Sequence, residues 1–424
     1  NPLDTSNIKL DEAINRILQL PTVASKNFLI TIGDRSVTGM VARDQFVGPW
    51  QVPVADCAIS ISDYVGYKGE IMSLGERTPL ALCDANSAAR MTIGEALTNM
   101  LGGYVEDIHD ISLSANWMSA SGHKGEDAKL FEAVKAVGMD LCPELGLTVP
   151  VGKDSMSMKS SWDENGEDKS VTSPLSLIIT AFSKTLDVRA QKTPLLDTES
   201  DSELLLIDLG FGQNRMGGSC LAQVYNQIGN TAPNLDDSAL FKSFFTVINQ
   251  LNKDNLISAY HDRSDGGVIT TLLEMAFASH CGLTINTDSS IESLFNEELG
   301  CVIQVKSENR QAVSDALNAA GLSNCTHTIA SINDADTIEI TTNNSVIYSQ
   351  PSAELHALWS STSYQIAKLR DNPDCAQQEF DAISQTTNGI KTDLSFDLNQ
   401  SVVAPYIKTN VKPKIAILRE QGVN

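Results

Sequence analysis

The feature that most limits how this chain can fold is an alternation of helix-type and strand-type segments on both sides of a short polar stretch. The run ELLLIDLG (203–210) is continuously apolar, which is typical of a buried strand. The run LDEAINRILQL (10–20) carries apolar residues three and four positions apart, which is typical of a helix. We therefore expect two successive domains of mixed α+β and α/β type, each with helices packed on a sheet.

Polar stretches between these segments give the expected domain boundaries. We expect an N-terminal helix and connector, a first domain with a mixed, largely antiparallel sheet, a linker, a second α+β domain, a helix with an extended linker, and a final strand. Their ranges are 1–24, 25–185, 186–202, 203–350, 351–412 and 413–424. Asn165 and Gly166, between two strand-type runs, predict a tight hairpin in the first domain.

Shorter apolar runs also predict strands. NFLITIG (27–33) and PLALCDA (79–85) have this pattern, and the second run precedes the helix-type run NSAARMTIGEALTNMLGG (86–103). The run IAIL (415–418) follows Pro413 and resembles the first buried strand of a parallel sheet. Because a lone strand cannot satisfy its backbone, we expect this run to belong to a further domain.

Charge and composition restrict the classes of partner. Lys and Arg number 30 against 53 Asp and Glu, a net charge of −23, which repels nucleic acid and anionic membranes. A small anionic ligand would need a locally basic or metal-filled pocket. The 8 cysteines are scattered without a CxxC pair, as expected for reduced thiols in a cytoplasmic protein. No apolar run approaches the roughly 18–20 residues that span a bilayer.

Glu95 and Asn99 are the first candidates for chemistry. They lie four residues apart on one predicted helix, so their side chains project from the same face one turn apart. Carboxylate and amide oxygens suit Mg²⁺, a hard cation that also takes phosphate and water. The alternative is an ordinary solvated helix face.

Two further segments place polar groups in unusual settings. Asp56 begins the apolar strand of VPVADCAISIS, where a carboxylate is costly unless it is paired or metal-bound; the alternative is an acid at the exposed mouth of the strand. In YHDRSDGGV (260–268), Asp262 and Ser264 precede two glycines and a helix, where backbone N–H groups can hold phosphate. The alternative is a helix N-cap formed by Ser264 or Asp265.

Common nucleotide and catalytic motifs do not fit. The glycines of LGFGQNRMGGS (209–219) miss the G-x-G-x-x-G spacing, and VGKDS (151–155) lacks the upstream glycine of a Walker motif. The 6 histidines form no HxxxH pair and have no evident nucleophile partner, so we take them as ordinary residues. No catalytic residue is predicted.

Several long strings resemble the large phosphoribosylformylglycinamidine synthase family of purine biosynthesis. These strings, which are spread over nearly the whole chain from about residue 20, are ASKNFLITIGDRSVTGMVARDQFVGPWQVPVADCA, GEALTN, LSANWM, VPVGKDSMSMK, AYHDRSDGGV, LFNEELG and PKIAILREQGVN. In that family the last string lies at the first strand of a class I glutaminase domain. The resemblance therefore implies an internal fragment of a longer protein.

The resemblance implies an ATP-dependent ligase reaction in which formylglycinamide ribonucleotide, glutamine and ATP give the amidine, glutamate, ADP and phosphate. The family combines a glutaminase domain with two homologous synthetase halves, each like aminoimidazole ribonucleotide synthetase. This chain resembles the second half, which in the family holds a structural ADP with Mg²⁺. It lacks the glutaminase cysteine and an HNHP-type string of the first half.

Residue by residue, the resemblance implies a site for ADP or ATP. The positions that match the family's metal ligands are Asp56, Glu95, Asn99 and Asp262. The positions that match its nucleotide contacts are Ala55, Ser264 and Lys26, the last on the adenine side. Arg35 and Arg43 are assigned to the substrate phosphate of the first half.

Two functions of different class follow. The chain is either a nucleotide-binding half without activity of its own, or a self-sufficient ATP-dependent ligase or kinase of the same superfamily. The absence of the first-half string favours the former. The expected partners are the first synthetase half and the glutaminase domain, and without them we expect a homodimer through the first domain.

Overall fold

The structure is a computed structural model that describes residues 2–33, 39–288, 290–385, 387–401, 403–407, 409, 412 and 414–417. The helices within these residues are α1 (Leu10–Gln19), α2 (Asn27–Ile30), α3 (Ala85–Met100), α4 (Glu126–Lys135), α5 (Cys142–Leu145), α6 (Cys220–Val224), α7 (Ser238–Lys253), α8 (Gly267–Ser279), α9 (Ile291–Phe295), α10 (Arg310–Ala319), α11 (Ser352–Arg370) and α12 (Pro373–Ala382). The strands within them are β1 (Val41–Arg43), β2 (Ala58–Ile61), β3 (Gly69–Glu76), β4 (Ser112–Met118), β5 (Thr148–Ser155), β6 (Lys159–Glu164), β7 (Glu167–Thr172), β8 (Ser176–Thr185), β9 (Ser202–Asp208), β10 (Ala259–Asp262), β11 (Gly282–Asn286), β12 (Gly300–Lys306), β13 (Thr326–Asn333), β14 (Thr337–Thr342) and β15 (Ser345–Pro351).

Two mixed sheets form the framework. The first has the order β1-β2-β3-β8-β4-β5 and is antiparallel except for the parallel pair β4 and β5. The second has the order β10-β12-β9-β13-β11-β14-β15 and is antiparallel except for the parallel pair β11 and β14. The predicted fold class, a largely antiparallel first sheet with helices and a second α+β domain, is confirmed.

Helix α3 covers the inner face of the first sheet at very short range. Strand β3 alternates buried and exposed residues along its length, as its period of two requires. Its inward Ser73 donates a hydrogen bond to the Ala96 carbonyl of α3 at 2.6 Å. A Cβ added at the inward Gly75 would lie 2.0 Å from the Thr92 carbonyl oxygen. Glycine is therefore required for the helix to approach the strand this closely.

Strand β9, the third of the seven strands in the second sheet, is buried on both faces, which explains its continuous apolar sequence. Leu205 and Ile207 of β9 belong to a core shared with α3, α7 and the first sheet. Leu204 and Leu206 belong to a second core with α1, α8 and α11 on the other face. The first core is thus continuous across both sheets, and it brings the two domains into contact.

The predicted hairpin is confirmed. Strands β6 and β7 pair in register through Glu164 and Glu167, and Asn165 and Gly166 between them have φ values of 57° and 82°. Both values lie in the left-handed region that this tight turn requires.

The two short runs predicted as strands are helical instead. Residues 27–33 begin with α2, whose Phe28 N–H donates to Ser363 Oγ of α11 at 2.8 Å. Residues 79–85 begin within a 3-10 helix, Thr78–Leu82, that leads into α3. Both predictions were wrong because a short apolar run has no period that separates a strand from a buried helical turn.

The connecting and terminal segments are partly structured. In the polar stretch 186–202, Val188 and Leu196 are buried against the two cores. The region predicted as extended after α11 contains α12. Residues 414–417 carry no strand, and the rest of the predicted terminal strand falls outside the described residues. In the described part of the chain, every helix is too short or too polar to cross a membrane.

The close approach of α3 to β3 gives a stability prediction. We expect Gly75→Ala to lower the free energy of unfolding by about 2 to 3 kcal/mol, because the added methyl group meets backbone atoms that cannot move independently. The measurement is urea denaturation of both proteins.

Gly138 provides the matched control, since an added Cβ there meets nothing within 4 Å. Gly138→Ala should leave the free energy of unfolding unchanged or raise it by up to about 1 kcal/mol. Equal effects of the two substitutions would contradict the close packing of α3 on β3.

Candidate functional site

A cleft of about 490 Å³ lies between the first and second domains. The seven residues predicted for the nucleotide and metal site all line it, and they are Lys26, Ala55, Asp56, Glu95, Asn99, Asp262 and Ser264. They come from a segment before α2, the approach to β2, one face of α3, the end of β10 and the loop before α8. Residues up to 238 positions apart in the sequence, from Lys26 to Ser264, therefore meet in one cavity.

Asp56 is held by a buried network of two carboxylates and one imidazole. His261 Nδ1 lies 2.6 Å from Asp56 Oδ1, and His261 Nε2 lies 2.8 Å from Glu274 Oε2. The Asp56 side chain is only 2% exposed, so the interpretation as an acid at an exposed strand mouth is wrong. Asp56 Oδ2 is buried and lacks a hydrogen-bond partner among the described residues.

Asp262 lies beside this network at the end of β10. Three possible ligand atoms, one each from Asp56, His261 and Asp262, lie within 4.8 Å of one another. Thr98 of α3 donates a long hydrogen bond of 3.4 Å to Asp262 Oδ2. The two carboxylates therefore converge from different domains onto one point in the cleft.

Glu95 and Asn99 face the cleft from α3. Glu95 is 8% exposed, and its Oε2 accepts a hydrogen bond from the Glu76 N–H at 2.6 Å, so the interpretation of this residue as a solvated helix face is wrong. Asn99 Nδ2 donates to the Leu74 carbonyl oxygen at 3.0 Å. Its carboxamide oxygen is then the atom that Asn99 can offer to a cation.

Ser264 contacts Glu95 across the domain boundary, because its hydroxyl donates to Glu95 Oε1. The alternative interpretation, an N-cap formed by Ser264 or Asp265, is wrong. Helix α8 begins after Gly266, which caps it without a side-chain hydrogen bond, and Gly266 and Gly267 have φ values of 85° and 77°. The two glycines are needed for this left-handed turn, which frees the Ser264 side chain for the cleft.

Arg77 is a buried cation at this junction that sequence reasoning missed. Its side chain is 2% exposed and lies 3.0 Å from Asp265 Oδ1 and 3.0 Å from Glu297 Oε2. Arg77 Nη1 also lies 3.5 Å from Glu95 Oε1. An arginine of the first domain therefore balances acids of the second domain and orients Glu95.

Burial changes the proton affinity of these groups. Burial raises the pKa of Asp56 against the opposing effect of His261, and it raises the pKa of Glu95 against the effect of Arg77. Burial and then the nearby Asp56 raise the pKa of Asp262 well above its usual value. Burial acts to lower the pKa of His261, but the carboxylates of Asp56 and Glu274 hold this pKa well above its usual value.

These observations fit a hard cation. Three buried carboxylates with raised pKa values lie around one cavity, and one of their oxygen atoms, Asp56 Oδ2, is buried without a partner among the described residues. A divalent ion would supply the missing positive charge, and the all-oxygen set of Asp56, Glu95, Asn99 and Asp262 matches the preference of Mg²⁺.

The three residues predicted to contact the nucleotide differ in the polar groups that they can offer to a ligand. Lys26 Nζ donates to the Thr22 carbonyl oxygen at 2.7 Å and to the Ala24 carbonyl oxygen, and burial lowers its pKa. The Ala55 N–H donates to the Gln45 carbonyl oxygen at 3.2 Å, so its own carbonyl group is what remains for a ligand. Ser264 has the only hydroxyl group of the three.

Of the two arginines assigned to a substrate phosphate, Arg43 does not line this cleft. Arg43 Nε donates to Gln191 Oε1 at 2.7 Å, and Arg43 Nη1 donates to the Phe46 carbonyl oxygen at 3.2 Å. Arg35 lies outside the described residues.

Sequence reasoning also missed His261 and Glu274. The sequence contains a pattern that could have indicated Glu274, because it is the only charged residue of the apolar helix segment GVITTLLEMAFAS. His261 adjoins Asp262 in a strand whose four residues are all buried, which no local pattern predicted. No local sequence pattern indicated the role of Arg77, because its partner Glu297 lies 220 positions away.

Two family descriptions match successive parts of the chain. The FGAR-AT PurM_N-like domain matches residues 25–184, and the C-terminal domain of AIR synthase related proteins matches residues 202–342. These ranges contain the first and second sheets almost completely.

Solved structures of similar fold come from Thermotoga maritima. PurL complexed with FGAR has a TM-score of 0.60 at 10% identity over 82% of this chain and 53% of that chain. PurL complexed with ADP has a TM-score of 0.56 at 9% identity over 82% and 51%. The structure of PurLQS has a TM-score of 0.54 at 11% identity over 74% and 47%.

The chain spans about half the length of these solved structures. At identities near 10%, the likeness concerns the fold alone. The two family matches concern the sequence itself, and they follow one another in the order of the two domains. Residues 25–184 therefore match the FGAR-AT PurM_N-like domain, and residues 202–342 match the C-terminal domain of AIR synthase related proteins.

Proposed function

We propose that this chain is the second, nucleotide-binding half of a phosphoribosylformylglycinamidine synthase, and that it holds ADP with Mg²⁺ in the cleft between its two domains. The observation that carries the proposal is the convergence of Asp56, Glu95, Asn99 and Asp262 around one cavity of about 490 Å³. In this proposal the four residues bind Mg²⁺, Ser264 contacts the nucleotide phosphates, Ala55 also contacts the nucleotide, and Lys26 lies on the adenine side.

Charge is the main argument for a metal-bound nucleotide. A polyphosphate cannot approach buried carboxylates unless cations lie between them, and Mg²⁺ offsets both sets of negative charge. Solved PurL structures of similar fold are complexes with ATP, AMPPCP and ADP, which supports a nucleotide as the ligand class.

The proposed role of the nucleotide is structural. The cleft is lined by α3 of the first domain and by the β10 end and the loop before α8 of the second. A ligand bound there would contact both domains and stabilise their arrangement. We propose that the isolated chain neither hydrolyses glutamine nor forms the amidine, and that these steps need the first synthetase half and a glutaminase domain.

An exposed apolar face of the first sheet supports a partner. Met72 and Phe182 are directly opposed on β3 and β8, and they are 45% and 40% exposed. Leu74, the next outward-facing residue of β3 after Met72, is 57% exposed. We propose that this face packs against the first synthetase half, and that in its absence two copies of this chain pair through it.

The alternative function is a self-sufficient ATP-dependent ligase or kinase. Both functions use the same cleft and the same Mg²⁺ ligands, so binding alone does not separate them. Release of phosphate from ATP in the presence of formylglycinamide ribonucleotide would favour the alternative.

The nucleotide site gives the first of three predictions from this proposal. A ligand at a hundred times its dissociation constant that binds only the folded state adds about 2.7 kcal/mol to the free energy of unfolding. We expect ADP with Mg²⁺ to give a shift of this size in the wild-type chain, and Glu95→Gln to remove most of it by weakening the metal site. The measurement is a thermal melt of each protein with and without ligand.

Glu132 of α4 is exposed and lies outside the cleft, so Glu132→Gln serves as the control and should retain the full shift. Chelation of Mg²⁺ with EDTA should abolish most of the effect of ADP on the wild-type chain. Equal ligand-induced shifts in wild type and Glu95→Gln would contradict the assignment of Glu95 to the metal.

The apolar sheet face gives the second prediction. We expect the wild-type chain to sediment as a dimer at tens of micromolar, and the double substitution Met72→Glu with Phe182→Glu to give monomers because buried unpaired carboxylates are costly. Met139, which is 72% exposed outside the sheet, provides the control Met139→Glu. A wild-type monomer under these conditions would contradict the proposed interface.

The third prediction concerns activity. We expect the purified chain to release no glutamate from glutamine, because six of its cysteines are buried and those at 57, 142 and 220 have thiol pKa values that burial raises. We also expect no phosphate release from ATP with formylglycinamide ribonucleotide. Glutamine turnover that is abolished by a thiol-blocking reagent would overturn this expectation.

A further inference from the structure

A second cavity lies between the helix pair α11 and α12 and the rest of the protein. Its volume is about 400 Å³, which is within the range of sites for small organic molecules. Among the described residues, it shares only Pro53 and Trp359 with the lining of the cleft described above. We call it the C-terminal cavity, and its chemistry differs from that of the cleft.

Aromatic rings form much of its wall. Trp50 stacks on His280 with ring centroids 4.2 Å apart and planes inclined by 7°, and Tyr364 stacks on Phe380 at 4.3 Å and 20°. All four rings line the cavity, together with Trp359. Flat apolar walls of this kind favour a flat aromatic ligand, because stacked rings gain contact area and favourable ring-to-ring electrostatics.

Two polar side chains also line this cavity. Asn27 lines the cavity, and its Oδ1 is buried without a hydrogen-bond partner among the described residues while its Nδ2 donates to Glu379 Oε1 at 2.8 Å. His356 also lines it, and burial lowers the pKa of this residue to about 3, so its imidazole is neutral. A neutral imidazole offers one donor and one acceptor.

The charges of the lining exclude anions. The charged residues of the described lining are the carboxylates of Asp371 and Glu379, and no described lysine or arginine lines the cavity. Arg370 pairs with Asp371 at 2.7 Å, so a phosphate or carboxylate ligand would be repelled mainly by the Glu379 carboxylate. The acceptable ligand is uncharged, in contrast to the polyphosphate proposed for the cleft.

The backbone holds the aromatic wall in a strained arrangement. Gln51, next to Trp50, has a φ of 56°, and His280 has a φ of 48°, both in the left-handed region that L-residues rarely adopt. Trp50 Nε1 is further fixed by a hydrogen bond to the Thr387 carbonyl oxygen at 3.2 Å. Strain of this kind persists where the surroundings fix it, and it is concentrated at ligand sites.

We propose that the C-terminal cavity binds an uncharged, flat heteroaromatic molecule of one or two fused rings. The ligand packs against the aromatic walls, donates a hydrogen bond to Asn27 Oδ1 and bonds to the His356 imidazole. This site is independent of the nucleotide proposed for the cleft, since neither its residues nor its ligand chemistry require that function.

Adenine, a neutral two-ring heterocycle with an exocyclic donor, is the probe. Calorimetric titration of the full chain, with excess ADP and Mg²⁺ present to occupy the cleft, should give a dissociation constant of roughly 0.1 to 1 mM. AMP under the same conditions should bind at least about tenfold more weakly, because its phosphate meets the acidic lining.

Variants locate the site. Ala367→Trp on α11 fills the cavity and should abolish adenine binding, whereas Gln365→Trp, at an exposed position on the same helix outside the lining, should leave it unchanged. Asn27→Leu removes the unpaired oxygen and should weaken binding about tenfold. Thermal melts establish whether each variant is folded. If Ala367→Trp does not fold, Asn27→Leu serves as the test.

The proposal is overturned if adenine shows no saturable binding up to roughly 10 mM, far above the value expected for a ligand of this size. It is equally overturned if folded Ala367→Trp or Asn27→Leu binds adenine as tightly as the wild-type chain does. If the wild-type chain binds adenine but not ADP, the function proposed for the cleft is contradicted, whereas the proposal for the C-terminal cavity is not affected.

Discussion

Burial of carboxylates at the junction of the two domains is the constraint on which the rest of this structure depends. Glu95 and Asp262 come from different domains and are 8% and 5% exposed. Such groups are costly in a protein interior unless positive charge lies close to them. Arg77 and His261 supply part of that charge within the chain, and each connects elements far apart in the sequence. The remaining negative charge is what makes the cleft suitable for a cation.

The geometry of the cleft depends in turn on backbone packing. Gly75 allows α3 to lie directly on β3, and that contact places the Glu76 N–H 2.6 Å from Glu95 Oε2. Gly266 and Gly267 form the turn that directs Ser264 toward the same carboxylate. Glycines without side-chain chemistry thus set the positions of the residues that carry chemistry.

Helix α11 relates the cleft to the C-terminal cavity. Trp359 of this helix lines both, and its Nε1 donates to the Val23 carbonyl oxygen at 2.8 Å. Val23 itself lines the cleft. Trp359, together with Pro53, therefore lies between the acidic cleft and the aromatic cavity.

The sequence by itself determined the mixed α+β class, the Asn165–Gly166 hairpin and the one-turn separation of Glu95 and Asn99, because each follows from local periodicity or turn chemistry. Only the tertiary structure decided that residues 27–33 begin with a helix, since a short apolar run takes the conformation that its neighbours favour. It also decided that Arg77 meets Glu297 and that His261 lies between two carboxylates. Contacts between residues hundreds of positions apart arise from the packing of whole domains, and no local pattern records them.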